Sequence, residues 1–352
     1  MNRLSARFAE LKIDALLVSA LPNIRYLTGF TGSNALLLIT SGESTLLTDP
    51  RYEIQASEQV SCPVRIVRSG PLAPAAAKLI AKKRLKRIGF EKARMVYSDY
   101  LVLHESLGLA ASLKPMPALV EQLRMVKTEA EIAKIRRSVI ANSNALAAVV
   151  PNIRAGLTES EVAADLEYEM RQEGAEKAAF ETIVATGART ALPHAEPGWA
   201  LIEANQLLLI DMGACLDGYA SDMTRMFVVG KAAGKLRKIY NAVLKAQLAA
   251  IDSVRAGVTA LHVDGKARGV LEAEGYGKQF VHSTGHGLGL EIHEPPRIGK
   301  KDNTVLAAGM VITIEPGAYM EGLGGVRIED TVLVTDSGCE VLTPTSKELL
   351  AL

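Results

Sequence analysis

The sequence predicts an α/β N-terminal domain followed by an α+β domain with an internal pseudo-twofold duplication. Three observations carry this. The first 120 residues alternate short apolar runs with helical stretches. The remainder opens on capped amphipathic helices and continues into strand pairs around turn signals. The pentapeptide Arg154-Ala155-Gly156-Leu157-Thr158 returns as Arg255-Ala256-Gly257-Val258-Thr259, each copy just ahead of a helical pattern. The 352 residues suffice for two domains, expected at 1–120 and 121–352.

Composition narrows the class. Hydrophobic residues make up 48% and charged residues 22%, the balance of a soluble globular chain. Lys+Arg 40 against Asp+Glu 39 leaves +1, so no global field marks a nucleic-acid binder. The charge is uneven: residues 1–127 hold 18 basic and 10 acidic side chains, residues 128–352 hold 22 and 29. Two domains of opposite sign fit that split. Cys62, Cys215 and Cys339 lie far apart with no CxxC pair, which fits a reducing compartment and a cytoplasmic protein. No apolar run approaches the ~18 residues that span a bilayer. Ala15–Leu21 adjoins Asp14 and precedes no clean cleavage site, so it reads as a buried first strand and not a signal peptide.

In the first domain, Asp14–Ala20, Ala35–Thr40, Thr45–Thr48, Val64–Val67 and Ile88–Phe90 read as strands, and Tyr52–Val60 and Pro74–Lys86 as helices. The basic run Lys82–Arg87 closes a helix as a solvated end that complements its dipole. Lys114–Pro117, with two prolines, reads as a linker. In the second domain Thr128 and Glu131 form a capping box, and the stripe Ile132, Ile135, Val139, Leu146 runs to Pro151. Thr158 and Glu161 cap a second helix that stops near Gly174. A third runs from Leu236 to Arg255, and a fourth from Thr259 to Gly275. Leu207–Ala214, Tyr219–Val229, Val311–Ala318 and Gly325–Val334 read as strands.

The duplication extends past the pentapeptide. Thr186-Gly187 matches Thr284-Gly285, and His194-Ala195-Glu196-Pro197 resembles His293-Glu294-Pro295-Pro296. Ile210-Asp211-Met212-Gly213-Ala214 matches Ile314-Glu315-Pro316-Gly317-Ala318, and Asp222-Met223-Thr224 loosely matches Glu329-Asp330-Thr331. Two units make a pseudo-twofold domain and not a solenoid. Acids fall at equivalent places in the halves. Asp211 and Asp222 flank the turn signal Leu216-Asp217-Gly218. A tip between 216 and 217 makes them direct partners, and one between 217 and 218 makes them diagonal neighbours. Side chains alternate with period two, so either register puts both carboxylates on one face. Glu315 and Glu329 likewise flank Gly322–Gly325.

Four carboxylates brought together by the dyad repel one another unless cations intervene. His286, in the run Ser283-Thr284-Gly285-His286-Gly287-Leu288-Gly289, adds an imidazole. Two divalent ions balance four carboxylates, which describes a two-metal hydrolytic centre. Asp211 and Glu315 sit inside apolar strands, where an unpaired acid costs several kcal/mol, so an ordinary edge role explains them poorly. The glycine run lacks the GxGxxG spacing of a dinucleotide loop, and His282 with His286 lacks the HExxH of a helical zinc site.

At these residues the sequence resembles the metallopeptidase family of aminopeptidase P, prolidase and methionine aminopeptidase, with the pita-bread fold. The matching segments are Ile210–Gly213, Ser221–Arg225, Ser283–Gly289, Ile292–Glu294, Thr313–Gly317 and Gly325–Asp330. Tyr26–Phe30 and Thr48–Tyr52 resemble the creatinase/prolidase N-terminal domain, which methionine aminopeptidase lacks, so the Xaa-Pro branch is favoured. The resemblance implies one metal on Asp211, Asp222 and Glu329, and another on Asp222, His286, Glu315 and Glu329. It further implies that Glu315 relays a proton and that His194, His282 and His293 bind substrate, with His194 and His293 shuttling protons. Pro295-Pro296 departs from relatives that carry an aromatic residue first. The resemblance also implies a homodimer.

An Xaa-Pro bond is a tertiary amide whose leaving nitrogen has no hydrogen and must be protonated as it departs. A histidine-lined pocket can hold the ring and deliver that proton. The sequence therefore predicts an exopeptidase of aminopeptidase P type acting on proline-containing peptides. The alternative is an Xaa-Pro dipeptidase, in which Arg297 reads the proline carboxylate. Creatine-amidinohydrolase-like chemistry, or an inactive binding module of this fold, would lose ligand carboxylates, and none is lost. Oxygen ligands with one imidazole suit two ions of Mn²⁺, with Co²⁺ or Zn²⁺ as alternatives.

Overall fold

A computed structural model of the chain describes residues 2–231 and 233–352. It divides into two compact units, Met1–Arg124 and Met125–Leu352. The first is organised by a six-stranded sheet of β1 (Ala15–Val18), β2 (Ala35–Thr40), β3 (Ser44–Thr48), β4 (Val64–Ile66), β5 (Arg87–Glu91) and β6 (Ser112–Met116), in the order β4-β3-β2-β1-β5-β6. β1 is buried along its whole length and lies between β2 and β5, which is why the run from Ala15 is uniformly apolar. Apolar residues cover both sheet faces. Leu16 and Val18 pack with Phe8, Ile24 and Phe30, while Ala15 and Leu17 pack with Ala76, Ile80 and Leu103.

One sequence expectation fails here, and another holds only in part. The Lys114–Pro117 segment is no linker, because Ser112–Met116 pairs in parallel with β5 as an edge strand, with Pro115 opposite Phe90. An edge strand tolerates the donor that proline lacks. The chain then forms a further helix, Leu119–Arg124, whose Leu119 and Val120 are buried in the same core, so this unit runs through Arg124. The basic run also spans more than a helix end. The helix is Leu72–Lys82, Arg84 takes a left-handed φ of 56°, and Arg87 already begins β5.

The second unit repeats one plan. α1 (Glu129–Val149) and α2 (Glu159–Gln172) both begin with complete capping boxes, from Thr128/Glu131 and Thr158/Glu161. They cover a sheet of β7 (Ile183–Thr186), β8 (Leu207–Met212) and β9 (Met223–Val228). α3 (Gly234–Ser253) and α4 (Ala260–Ala273, capped by Thr259) belong with a second sheet. That sheet has the order β11 (Glu294–Ile298), β10 (Gly285–Gly287), β12 (Val311–Ile314), β15 (Asp330–Val334), then Cys339–Val341. Between β12 and β15 runs the hairpin β13 (Gly317–Met320) and β14 (Gly324–Arg327), whose Ala318 and Val326 are buried in the core.

The repeated pentapeptide repeats in structure. Gly156 and Gly257 have φ of 93° and 88°, and their N–H groups donate to Ile202 O (2.9 Å) and Leu306 O (2.8 Å). Thr158 bridges to Leu201 as Thr259 does to Val305. Among the described residues no helix is long and apolar enough to cross a membrane.

Candidate active site and metal centre

The first acid pair rides on the β8–β9 hairpin. Leu208, Ile210 and Met212 of β8 pack beneath α1 and α2, so alternation turns Asp211 to the opposite face. Asp217 and Gly218 both have positive φ, 51° and 76°, the backbone of a two-residue hairpin turn. That turn fixes the register. Asp211 lies opposite Thr224 and Met212 opposite Met223, so Asp222 is the diagonal neighbour of Asp211. In the second pair, Ile314 pairs with Asp330 and Gly317 with Arg327, and the same register puts Glu315 across from Glu329. The regular ladders break at Asp222, Glu315 and Glu329 themselves, where side chains and not strands take over.

His286 enters from β10, which is wedged between β11 and β12. The flanking glycines allow this: a Cβ on Gly285 would stand 1.9 Å from Thr313 O, and one on Gly287 would stand 2.3 Å from Pro295 O. His286 Nδ1 faces Gly287 O at 3.1 Å, which places the ring proton there. Its Nε2 then presents a lone pair 3.6 Å from Asp222 Oδ2 and 3.4 Å from Glu315 Oε1. Asp222, His286 and Glu329 each offer a ligand atom within 4.8 Å of the others.

The electrostatics fit cations. Burial first, then the Glu329, Asp211 and Glu315 carboxylates, raises the Asp222 carboxyl well above its ordinary range. Burial, with Glu315 and Asp211, does the same to Glu329, and burial pushes Glu315 up to about 7. Burial and neighbouring His293 push His286 down to about 4, leaving a neutral imidazole. Asp211 Oδ1 is buried with no hydrogen-bond partner. An orphaned carboxylate oxygen beside three repelling acids and a neutral nitrogen is a donor set for hard or borderline divalent ions.

Around these five residues lies a cavity of about 1270 Å³, lined also by His194, His282, His293 and Arg297. The His293 ring meets that of His286 edge-on, centroids 4.4 Å apart. Burial pushes His282 down to about 4. Its Nδ1 donates to Ser283 O (2.7 Å), so its Nε2 accepts from the Tyr319 hydroxyl (2.9 Å). Both His282 nitrogens are thereby occupied within the protein. Arg297 is exposed, and its Nε donates to Ser283 Oγ at 2.5 Å.

Sequence reasoning missed three residues here. Arg327 Nη2 donates to Asp211 Oδ2 (2.5 Å), Nη1 to the Tyr319 hydroxyl (2.8 Å), and Nε to Thr224 Oγ1 (3.1 Å). Thr224 Oγ1 donates in turn to Glu329 Oε2 (2.7 Å). The signal for Arg327 was its parity with Glu329, two residues on, and that for Thr224 its place two after Asp222. Tyr319 carried no comparable sign, since an aromatic residue in an apolar strand reads as core.

Residues 133–336 match the model of metallopeptidase family M24, and residues 1–126 that of the creatinase/prolidase N-terminal domain. The chain belongs to metallopeptidase family M24, and it is an enzyme with the pita-bread catalytic fold expected from its motifs. It is 40% identical over 339 residues to the Xaa-Pro dipeptidase of Pyrococcus horikoshii, covering 96% of this chain and 95% of that one. The solved Xaa-Pro dipeptidase from Bacillus anthracis superposes with a TM-score of 0.96 at 40% identity, covering 99% and 98% of the two chains. The X-Pro aminopeptidase from Thermotoga maritima MSB8 gives 0.90 at 38% identity, covering 98% and 100%. Family membership implies divalent metal cofactors.

Proposed function

We propose that this chain is a prolidase-type Xaa-Pro dipeptidase working with two divalent cations. Relatives named Xaa-Pro dipeptidase along nearly the whole chain move this reading away from the aminopeptidase P type that the motifs favoured. The observation that carries it is Arg297 in the cavity of the five-residue cluster, an exposed guanidinium held at Nε by Ser283 and open to a C-terminal carboxylate. Asp211, Asp222 and Glu329 would hold one cation, and Asp222, His286, Glu315 and Glu329 the other. Mn²⁺ is the expected metal, ahead of Co²⁺ or Zn²⁺. When bound, the ions activate water and polarise the scissile carbonyl. Glu315 would accept the proton of the attacking water. His194 and His293 bind the proline side and return a proton to the leaving nitrogen, and His282 shapes the pocket wall.

The test is hydrolysis of Xaa-Pro against Xaa-Pro-Yaa peptides with Mn²⁺, Co²⁺ or Zn²⁺. Faster turnover of the dipeptides is expected, and preferential cleavage of the longer peptides would return the assignment to aminopeptidase P. The protein is further expected to be a cytoplasmic homodimer, in keeping with cysteines that form no disulfide among the described residues and the opposite charges of its two parts. A monomer in sedimentation at micromolar concentration would contradict the dimer.

A further inference from the structure

His194 is exposed to the cavity, so its position follows from the backbone that carries it. That backbone is the segment from Thr186 to Gly198, a 3₁₀ turn (Gly187–Ala191) followed by irregular chain. A single buried carboxylate holds both ends of it. Glu159, the first residue of α2, has a side chain with 0% exposure. Its Oε1 accepts from Thr186 N (2.9 Å), and its Oε2 accepts from Gly198 N (3.1 Å). Arg189 Nε lies 3.0 and 3.1 Å from the two oxygens, and Arg189 Nη2 donates to Glu196 O (2.8 Å). The middle of the segment is tied elsewhere, Pro193 O accepting from Arg327 Nη1 (3.2 Å) and Thr190 Oγ1 accepting from Gly325 N (2.8 Å). The first helical turn is a favourable place for an acid, and charge-assisted bonds from three directions satisfy it.

The other half of the duplicated domain uses the same device. Asp264, in the second turn of α4, accepts from Thr284 N (3.2 Å) and Thr284 Oγ1 (2.8 Å) and pairs with Arg268. Arg268 in turn donates to Phe280 O (3.2 Å) and to His282 O, next to the second histidine-bearing segment. Thr186 and Thr284 are the equivalent positions of the repeat. A buried acid on the second helix of each half thus anchors the segment that brings histidines to the cavity.

We propose that Glu159, with Arg189, is a positioning residue for His194, clamping its segment in register with the cavity; this rests on the substrate role given to His194 above. Neither residue contacts a carboxylate of the metal cluster. Losing the clamp therefore displaces His194 without removing a ligand, and a displacement of about 1 Å suffices for a large loss of rate.

The experiment uses the metal-loaded full chain. Glu159→Gln keeps the volume but sets an amide donor against N–H groups. Arg189→Ala removes the half-exposed partner and spares the buried acid should Glu159→Gln fold poorly. Each is expected to lower kcat/KM on an Xaa-Pro dipeptide, about 10- to 100-fold for Glu159→Gln, with metal content unchanged. His194→Ala is expected to lower it comparably. Combined with His194→Ala, either variant should add less than about threefold, because both changes disable one element. Trp199, the only tryptophan, follows Gly198 directly, so its fluorescence anisotropy should fall in both clamp variants. Full multiplicative losses in the double variants, unchanged turnover in His194→Ala, or loss of metal would overturn the proposal. So would unchanged Trp199 anisotropy, whatever the turnover. The functional reading is judged separately, by wild-type hydrolysis of Xaa-Pro dipeptides.

Discussion

The Arg327 guanidinium lies 2.5 Å from Asp211 Oδ2 and leaves Asp211 Oδ1 buried without a hydrogen-bond partner. A carboxylate gripped on one oxygen keeps a fixed orientation for whatever the other oxygen binds. Arg327→Ala should therefore weaken binding of the Asp211-held cation by about 10- to 100-fold while the other cation stays bound. Arg327→Lys keeps a charge but loses the fork, and should recover little. Calorimetric metal titration distinguishes two unequal sites from two unchanged ones, and unchanged affinities would refute the orienting role.

Asp222 and Glu329 are the acids assigned to both ions. Asp222→Asn or Glu329→Gln should deplete both and abolish turnover, whereas Asp211→Asn should retain partial occupancy. Elemental analysis of the purified variants with circular dichroism checks this. Full activity with both metals in Asp222→Asn would show that the centre is misassigned.

Metal removal should depend on pH with a definite sign. In the metal-free fold, burial and mutual repulsion hold Asp222, Glu329 and Glu315 protonated to higher pH than in the unfolded chain, Glu315 up to about 7. Between the ordinary carboxylate range and about pH 7 the native state then binds more protons than the unfolded state, so its stability falls as pH rises. Cations relieve that repulsion. Chelation should lower Tm by several degrees more at pH 7.5 than at pH 5, followed by thermal unfolding with and without chelator. An equal drop at both pH values would contradict the coupling.

The carboxylate-reading role proposed for Arg297 makes a prediction about substrate length. A charge-assisted pair with the substrate carboxylate implies a loss of roughly 10- to 150-fold in kcat/KM for Arg297→Ala on Xaa-Pro. The loss on Xaa-Pro-Yaa, whose carboxylate lies further out, should be much smaller. Equal losses on both lengths would instead indicate a packing role through Ser283.

Much of the site was legible because period-two alternation puts the two carboxylates of a hairpin on one face for either tip position that the turn signal allows. That held for Asp211 with Asp222 and for Glu315 with Glu329. The register itself was open until Asp217 and Gly218 were seen to take left-handed backbone together, which selects the diagonal arrangement. Arg327 and Tyr319 stayed hidden because their contacts reach across to β8 and to the segment before β10, and sequence periodicity reports only neighbours on one element. The strand at Ser112–Met116 was lost to Pro115 within it and Pro117 just after it, since prolines mark a linker and an edge strand alike.

The proposed two-cation centre is tested by the count of divalent ions per chain, measured with Xaa-Pro dipeptide turnover during chelation and refilling. About two ions per active chain are expected, with loss of turnover when they are removed and recovery on adding Mn²⁺. Full turnover by a chain stripped of metal would contradict it.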